Sequence, residues 1–175
     1  EKIESWYGRQ AEGYQQFATA LHSARNQLSA SPSLIASLAA NTEQPMIAQA
    51  TAVSYLGQYR TPAAAGAIQQ ALQSTDPMLK LAALDALDSF DIRQRVQLAF
   101  PLLDDETRSV RINAARLLAS VPVGNLPEQQ KMKLDTAIGE YINAQLFNAE
   151  RPESQVNLGG IYSDLGRNAE AESGR

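Results

Sequence analysis

Very few residues in this chain have the types and spacing that chemistry requires. Three consecutive acids, Asp104, Asp105 and Glu106, are typical of a solvated turn, and a cation or acid–base site would also need converging partners. His22 is the only histidine, and a lone histidine on a helix more often lies at the surface than in a metal site. It also has no cysteine and no GxSxG-type serine to activate. The sequence therefore predicts no catalytic residue and no metal ligand.

One charged stretch is a candidate for binding. Its five arginines are Arg93, Arg95, Arg108, Arg111 and Arg116. Lys80 and Arg111 occupy equivalent places in a repeated pattern, so the favoured interpretation is a ladder of ion pairs with loop acids such as Asp76 and Glu106. The alternative is a basic strip that binds a partner.

Composition favours close-packed helices. Hydrophobic residues make up 44% of the 175 residues but aromatic residues only 6%, because much of the apolar content is alanine. A net charge of -4 argues against nucleic-acid binding, which needs an excess of Lys and Arg. No apolar run approaches the roughly 18 residues that a membrane span needs, so no membrane insertion is predicted. The absence of cysteine excludes disulfides and CxxCH haem attachment within this segment.

The stretch from Asp76 to Phe90 is the organising helix of the sequence. Asp76 is suited to cap it and Pro77 to begin its first turn. Its apolar residues recur at helical spacing and form one face, which a helix this short cannot bury alone. Those residues are Leu79, Ala82, Ala83, Ala86, Leu87 and Phe90.

The same pattern recurs along the chain. Aligning Ile47, Leu79 and Val110 gives steps of 32 and 31 residues. Three matched units of this length predict a helical-repeat architecture. The prediction places one core along the matched positions Leu79, Ala83, Leu87, Val110, Ala114 and Leu118, and it places helix caps at Asp76 and Thr107.

These units resemble HEAT repeats of the short type found in the phycocyanobilin-lyase-like family. The resemblance is carried by Val110-Arg111, Ala114-Ala115 and Leu117-Leu118, and by Leu79-Lys80, Ala82-Ala83 and Ala86-Leu87. The first unit departs from the pattern, with Ala48 in place of the basic residue and Gln44 in place of a good cap. The resemblance covers roughly residues 31–122.

The C-terminal part follows a different pattern. A long amphipathic helix is predicted from Pro127, and NLGGIYSDLGRNAEAE after it resembles the start of a tetratricopeptide repeat. Gln155 stands where that motif usually has an aromatic residue. The matching residues are Leu158, Gly159, Tyr162, Gly166 and Ala171. We expect Leu158 and Tyr162 to pack on the long helix and the chain to fray from Gly166.

The predicted fold class is an all-α, right-handed helical-repeat solenoid. Residues 1–30 would form an N-terminal capping helix, with the cluster Trp6-Tyr7-Gly8 covering the open end. Residues 31–122 would form three HEAT-like repeats. Residues 123–175 would form the long helix and a truncated tetratricopeptide repeat.

The order of these elements resembles the C-terminal repeat region of bacterial multihaem c-type cytochromes. That resemblance implies a periplasmic fragment of a larger electron-transfer protein, with any haem c bound upstream of Glu1, and no cofactor in this segment. The function expected for the segment is a non-catalytic scaffold for a protein or peptide partner. A bilin-lyase-like enzyme is the alternative, and a nucleic-acid-binding HEAT array is a less favoured one. The oligomeric state stays open.

Overall fold

The structure, a computed structural model, describes residues 14–122, 124 and 126–167, and these residues contain helices and no strand. The fold class is therefore that of an all-α helical-repeat solenoid, as predicted. The α-helices are α1 (Tyr14–Arg25), α2 (Ser31–Ala40), α3 (Met46–Leu56), α4 (Pro62–Leu72), α5 (Pro77–Ala86), α6 (Ile92–Ala99), α7 (Arg108–Leu118), α8 (Glu128–Phe147) and α9 (Pro152–Asp164). Short 3₁₀ helices, Leu87–Ser89 and Phe100–Asp104, follow α5 and α6.

The chain divides into two compact units, residues 1–89 and 90–175. This division falls inside the stretch 31–122 that the sequence assigns to three repeats. In the first unit α1 packs on α2, α2 on α3, and α3 on both α4 and α5. In the second unit α7 packs on α6 and α8, and α9 packs on α8.

The second helices of successive pairs begin at a regular spacing along the chain. The residues that precede α3, α5 and α7 are Pro45, Asp76 and Thr107, which are spaced 31 residues apart. The predicted cap at Asp76 is confirmed, because its carboxylate accepts a hydrogen bond from the Met78 N–H at 2.7 Å. Thr107 does begin its helix, but the predicted side-chain cap is wrong. The Thr107 N–H instead donates to the Asp105 carboxylate at 2.8 Å.

The register of the first repeat differs by one residue from the predicted alignment. Ile47 is 63% exposed, whereas Ala48 is 4% exposed, and Ala48, Ala52 and Leu56 are the buried counterparts of Leu79, Ala83 and Leu87. A shift of one residue turns a side chain by about 100° around a helix, so it moves Ile47 out of the core. The apolar character of Ile47 was therefore a misleading guide to the buried face.

Burial is confirmed at five of the six positions predicted for the core. Ala83, Leu87, Val110, Ala114 and Leu118 are fully buried. The sixth, Leu79, is only half-buried. It lies where α5 borders a surface groove, so one side of it stays open.

The C-terminal pair of helices also follows the prediction in part. Leu158 is buried and Tyr162 is half-buried on α9, which packs on α8. The expected fraying from Gly166 concerns mainly residues 168–175, which lie outside the described residues, so it stays a prediction. Gly166 has a φ of 69°, and the N–H groups of Gly166 and Arg167 donate to the carbonyls of Ser163 and Tyr162, which closes the helix in a Schellman motif.

The N-terminal part is described from residue 14 onward. Helix α1 covers α2, and the hydroxyls of Ser23 and Ser31 form a buried hydrogen bond of 2.9 Å between them. The Trp6-Tyr7-Gly8 cluster and residues 168–175, including Ala171, lie outside the described residues. Their predicted roles stay predictions.

The backbones of the first unit approach closely where α3 and α5 end. A Cβ added to Gly57 would stand 2.7 Å from the carbonyl oxygen and 2.9 Å from the Cα of Ala86. The Ser89 hydroxyl spans the same place and donates to the Gly57 carbonyl at 2.6 Å. The obstructing atoms belong to the backbone, which cannot move without displacing α5.

We therefore predict opposite effects for two glycine-to-alanine substitutions. Gly57→Ala should lower the free energy of unfolding by about 1–3 kcal/mol, because it overpacks this contact. Gly66→Ala, within α4 and with open space around its Cα, should raise it by about 0.5–1 kcal/mol through better helix propensity. Urea unfolding of the two variants measures both values. Equal shifts would mean that α3 and α5 do not approach at Gly57.

Candidate functional site

In α3, α7 and α9, a polar side chain of the helix donates a hydrogen bond to a backbone carbonyl in the turn before that helix. Four residues after the start residue Pro45 stands Gln49, whose Nε2 donates to the Gln44 carbonyl at 2.8 Å. In α9 the same place is held by Gln155, whose Nε2 donates to the Ala149 carbonyl at 2.6 Å. These carbonyls lie in turns, where no helical N–H reaches them, so a long side chain satisfies them instead.

Arg111 performs this function in α7. Its Nη1 donates to the carbonyls of Asp105 at 2.8 Å and Glu106 at 3.1 Å. The corresponding residue of α5 is Lys80, as the sequence pattern predicts. In the first repeat the corresponding residue is Gln49 and not Ala48, because of the shift in register.

The carboxylate partner of Arg111 comes from α8. Its guanidinium forms a forked pair with the Glu140 carboxylate: Nη2 donates to Oε2 at 2.9 Å and Nε donates to Oε1 at 3.3 Å. Arg108 approaches the same carboxylate at 3.9 Å, and Lys133 pairs with Asp104 nearby. Arg–carboxylate forks are among the stronger polar contacts in proteins, so this cluster fastens α8 to α7.

The carboxylate that pairs with Arg111 therefore differs from the predicted loop acids. The Asp76 carboxylate caps α5, and Glu106 contributes its backbone carbonyl to Arg111. Glu140 is the acid that pairs with Arg111, and sequence reasoning missed it. It lies in the long helix beyond the matched repeats, so the repeat pattern carried no signal for it.

The five arginines of the proposed basic strip lie on two helices of the second unit. Arg93 and Arg95 lie on α6, and the other three lie on α7. Arg93 and Arg108 are exposed, whereas the Nε of Arg95 is buried without a hydrogen-bond partner among the described residues. Arg111 is bound within the unit, so its first role is structural. Binding of a partner by this strip stays a prediction.

The residues singled out for possible chemistry have ordinary surroundings. Asp104 forms an ion pair, and the Asp105 carboxylate accepts a hydrogen bond from the Thr107 N–H in the turn before α7. His22 is exposed on α1, next to the Asn26 side chain. Within residues 14–122, 124 and 126–167, no group of three or more His, Cys, Asp or Glu could hold a metal ion.

One titratable group is perturbed by its position. Burial raises the pKa of the Tyr141 phenol above its ordinary value, Arg116 acts in the opposite direction, and Asp164 adds to the rise. The phenol therefore stays protonated at neutral pH. Tyr141 lies on α8 and is 5% exposed.

Exposed apolar side chains recur at one place in the repeat of the first unit. Ile47 and Met78 stand two residues after the start residues Pro45 and Asp76, and they are 63% and 43% exposed. Since α3 packs beside α5, the repeat brings these two positions to neighbouring helix starts. Single exposed apolar residues are common at protein surfaces, and what distinguishes these two is that they recur at the same place in the repeat.

The fold and these contacts define an all-α protein built from repeated pairs of helices. A family model described as HEAT repeats matches residues 31–119, just over half of the chain, and the chain belongs to this family. HEAT repeats generally serve as protein-interaction scaffolds and are typically non-catalytic. Comparison with curated proteins and with solved structures gives no match. The tetratricopeptide and cytochrome resemblances stay predictions.

In the part of the chain that the structure describes, no helix has both the length and the apolar character to cross a membrane.

The cluster around Arg111 gives a prediction for stability. Arg111→Met keeps the aliphatic stem but removes the hydrogen bonds to Glu140, Asp105 and Glu106, so it should lower the free energy of unfolding by about 1.5–3 kcal/mol. The matched control Arg93→Met, at an exposed position of α6, should change it by less than about 0.5 kcal/mol. Chemical denaturation compares the two. Similar losses would show that the contacts of Arg111 add nothing to the fold.

Proposed function

We propose that this chain is a non-catalytic scaffold that holds a protein partner against its helical repeats. The observation that carries the proposal is the HEAT family match over residues 31–119. The repeated pair of exposed apolar residues, Ile47 and Met78, supports it, because their positions follow the repeat and not the needs of the core.

The surroundings of this pair suit a protein surface. Ile47 and Met78 lie near helix starts, where exposed Met46 adds a further flexible apolar side chain. Methionine adapts its shape to the surface it meets, and apolar side chains with a polar rim are typical of interaction patches. A partner that covers these side chains would remove apolar surface from water, which favours association.

We further propose that the scaffold belongs to a larger redox protein of the bacterial envelope, with haem c carried by another part of that protein. The support is the order of elements: HEAT-like pairs, then the long helix α8, then α9 with its Leu158 and Tyr162 pattern. This proposal places the chain in the periplasm. The scaffold function does not depend on it.

The scaffold function can be tested by photo-crosslinking of the full-length protein in its host. A benzophenone amino acid at position 47 or 78 should give a discrete adduct with another protein, because both side chains are exposed on the proposed contact surface. The same amino acid at position 63, exposed on α4, serves as the control and should give none. Absence of adducts at both test positions would contradict the proposal.

The redox context has a separate test. An antibody against this chain should detect a full-length band that also stains for covalently bound haem after denaturing electrophoresis, and that band should be released with the periplasmic fraction. The isolated chain itself should show no Soret band, because it has no cysteine to attach haem. A native band without haem would contradict the cytochrome context and leave the scaffold function standing.

A further inference from the structure

A groove of about 380 Å³ opens on the first unit between the α2–α3 turn and the α4–α5 turn. Four of the residues that line it have small side chains: Ala39, Ala40, Ala67 and Ala71. No charged and no aromatic residue lines it. It borders the turns and is separate from the exposed pair Ile47 and Met78, neither of which lines it.

A largely buried amide lines this groove, and only its nitrogen end has a hydrogen-bond partner in the turn. Gln49 lines the groove and is only 5% exposed. Its Nε2 donates to the Gln44 carbonyl, and because a carbonyl can only accept, this contact fixes which end of the amide points to the turn. The other end, Oε1, has no printed partner among the described residues and is not one of their fully buried unpaired atoms, so it is open to the groove. An open acceptor beside a surface of methyl groups suits a ligand that brings a donor.

The lining selects the class of that ligand. Without Lys or Arg the groove has nothing to hold a phosphate or a carboxylate, and without acids it has nothing to hold an ammonium group. Without an aromatic side chain it has no platform on which a base could stack. What it offers is a floor of methyl groups edged by the exposed amides of Gln70 and Gln73, which both donate and accept.

A polypeptide backbone in an extended conformation has matching groups. Its N–H and C=O groups are unpaired, so they can bond to side-chain amides, and small residues can lie flat on the alanine floor. A helical ligand fits less well, because its backbone N–H groups are already bonded within the helix and none is left for Gln49 Oε1.

We propose that this groove binds an extended, uncharged peptide segment of a protein partner, with one of its backbone N–H groups donating to Gln49 Oε1. The inference rests on the proposed scaffold function and adds a second place of contact to it.

Three variants separate the groove from the rest of the surface. Ala67→Phe fills the groove, and Ala63→Phe makes the same change one turn earlier on α4, outside the lining. Gln49→Lys copies the residue type that stands at the equivalent position of α5, so it can still donate to the Gln44 carbonyl while it removes the Oε1 acceptor. Thermal unfolding should show all three folded.

The probe is a displayed library of random heptapeptides, panned against the chain. We expect enrichment of peptides poor in charged residues. For synthetic copies measured by fluorescence polarisation, Ala67→Phe should weaken binding at least tenfold, Gln49→Lys by about five- to tenfold, as expected for one lost hydrogen bond, and Ala63→Phe by less than twofold.

The outcomes distinguish this inference from the scaffold function. Selected peptides that bind all three variants equally, or that are strongly charged, would overturn the groove as their site, while crosslinks at positions 47 and 78 would still support the scaffold. If no peptide is enriched, the groove has no affinity for extended segments and the inference is wrong. If no crosslinks form at positions 47 and 78 but the selected peptides bind in the groove, the contact surface at Ile47 and Met78 is contradicted and the groove is not.

Discussion

The first unit depends on how closely α3 and α5 approach each other. Neither helix is long enough to be stable alone, so each must bury its apolar face against its neighbours. Alanines at the facing positions and Gly57 at the end of α3 let the two backbones meet, with the Gly57 site directly against Ala86. Larger side chains would hold the helices apart and expose the leucines behind them. The alanine-rich composition is thus a packing requirement.

Packing helices this tightly leaves turns whose carbonyls need partners. The chain solves this with one long polar side chain at a fixed place in the second helix, which is an amide in α3 and α9 and a guanidinium in α7. The same structural task is therefore done by residues of different charge. A basic residue at this place is explained by the turn it satisfies before any partner is considered, and Arg111, with Glu140 beside it, is the clearest case.

The two units present different surfaces to a partner. In the second unit, ion pairs between α7 and α8 occupy much of the charge that the sequence displays. In the first unit, the exposed side chains that follow the repeat are apolar, and the groove beside the turns is neutral and lined by small residues. The second unit also exposes large apolar side chains, among them Phe147 at 85% and Val156 at 73%, but these lie on α8 and α9, outside the matched repeats.

The sequence by itself determined the helices, their repeat and several of their ends. Local signals carry that information: Asp76 before Pro77 begins a helix, and apolar residues at helical spacing locate Ala83, Leu87 and Leu118 in the core. Tertiary structure alone decided which face of α3 is buried, because Ile47 and Ala48 are both apolar and only the packed neighbour of α3 distinguishes them. It also decided that Arg111 pairs with Glu140 and that Gln49 keeps an open acceptor. Those contacts join residues whose separation is set by how helices pack, and no local pattern in the chain encodes that distance.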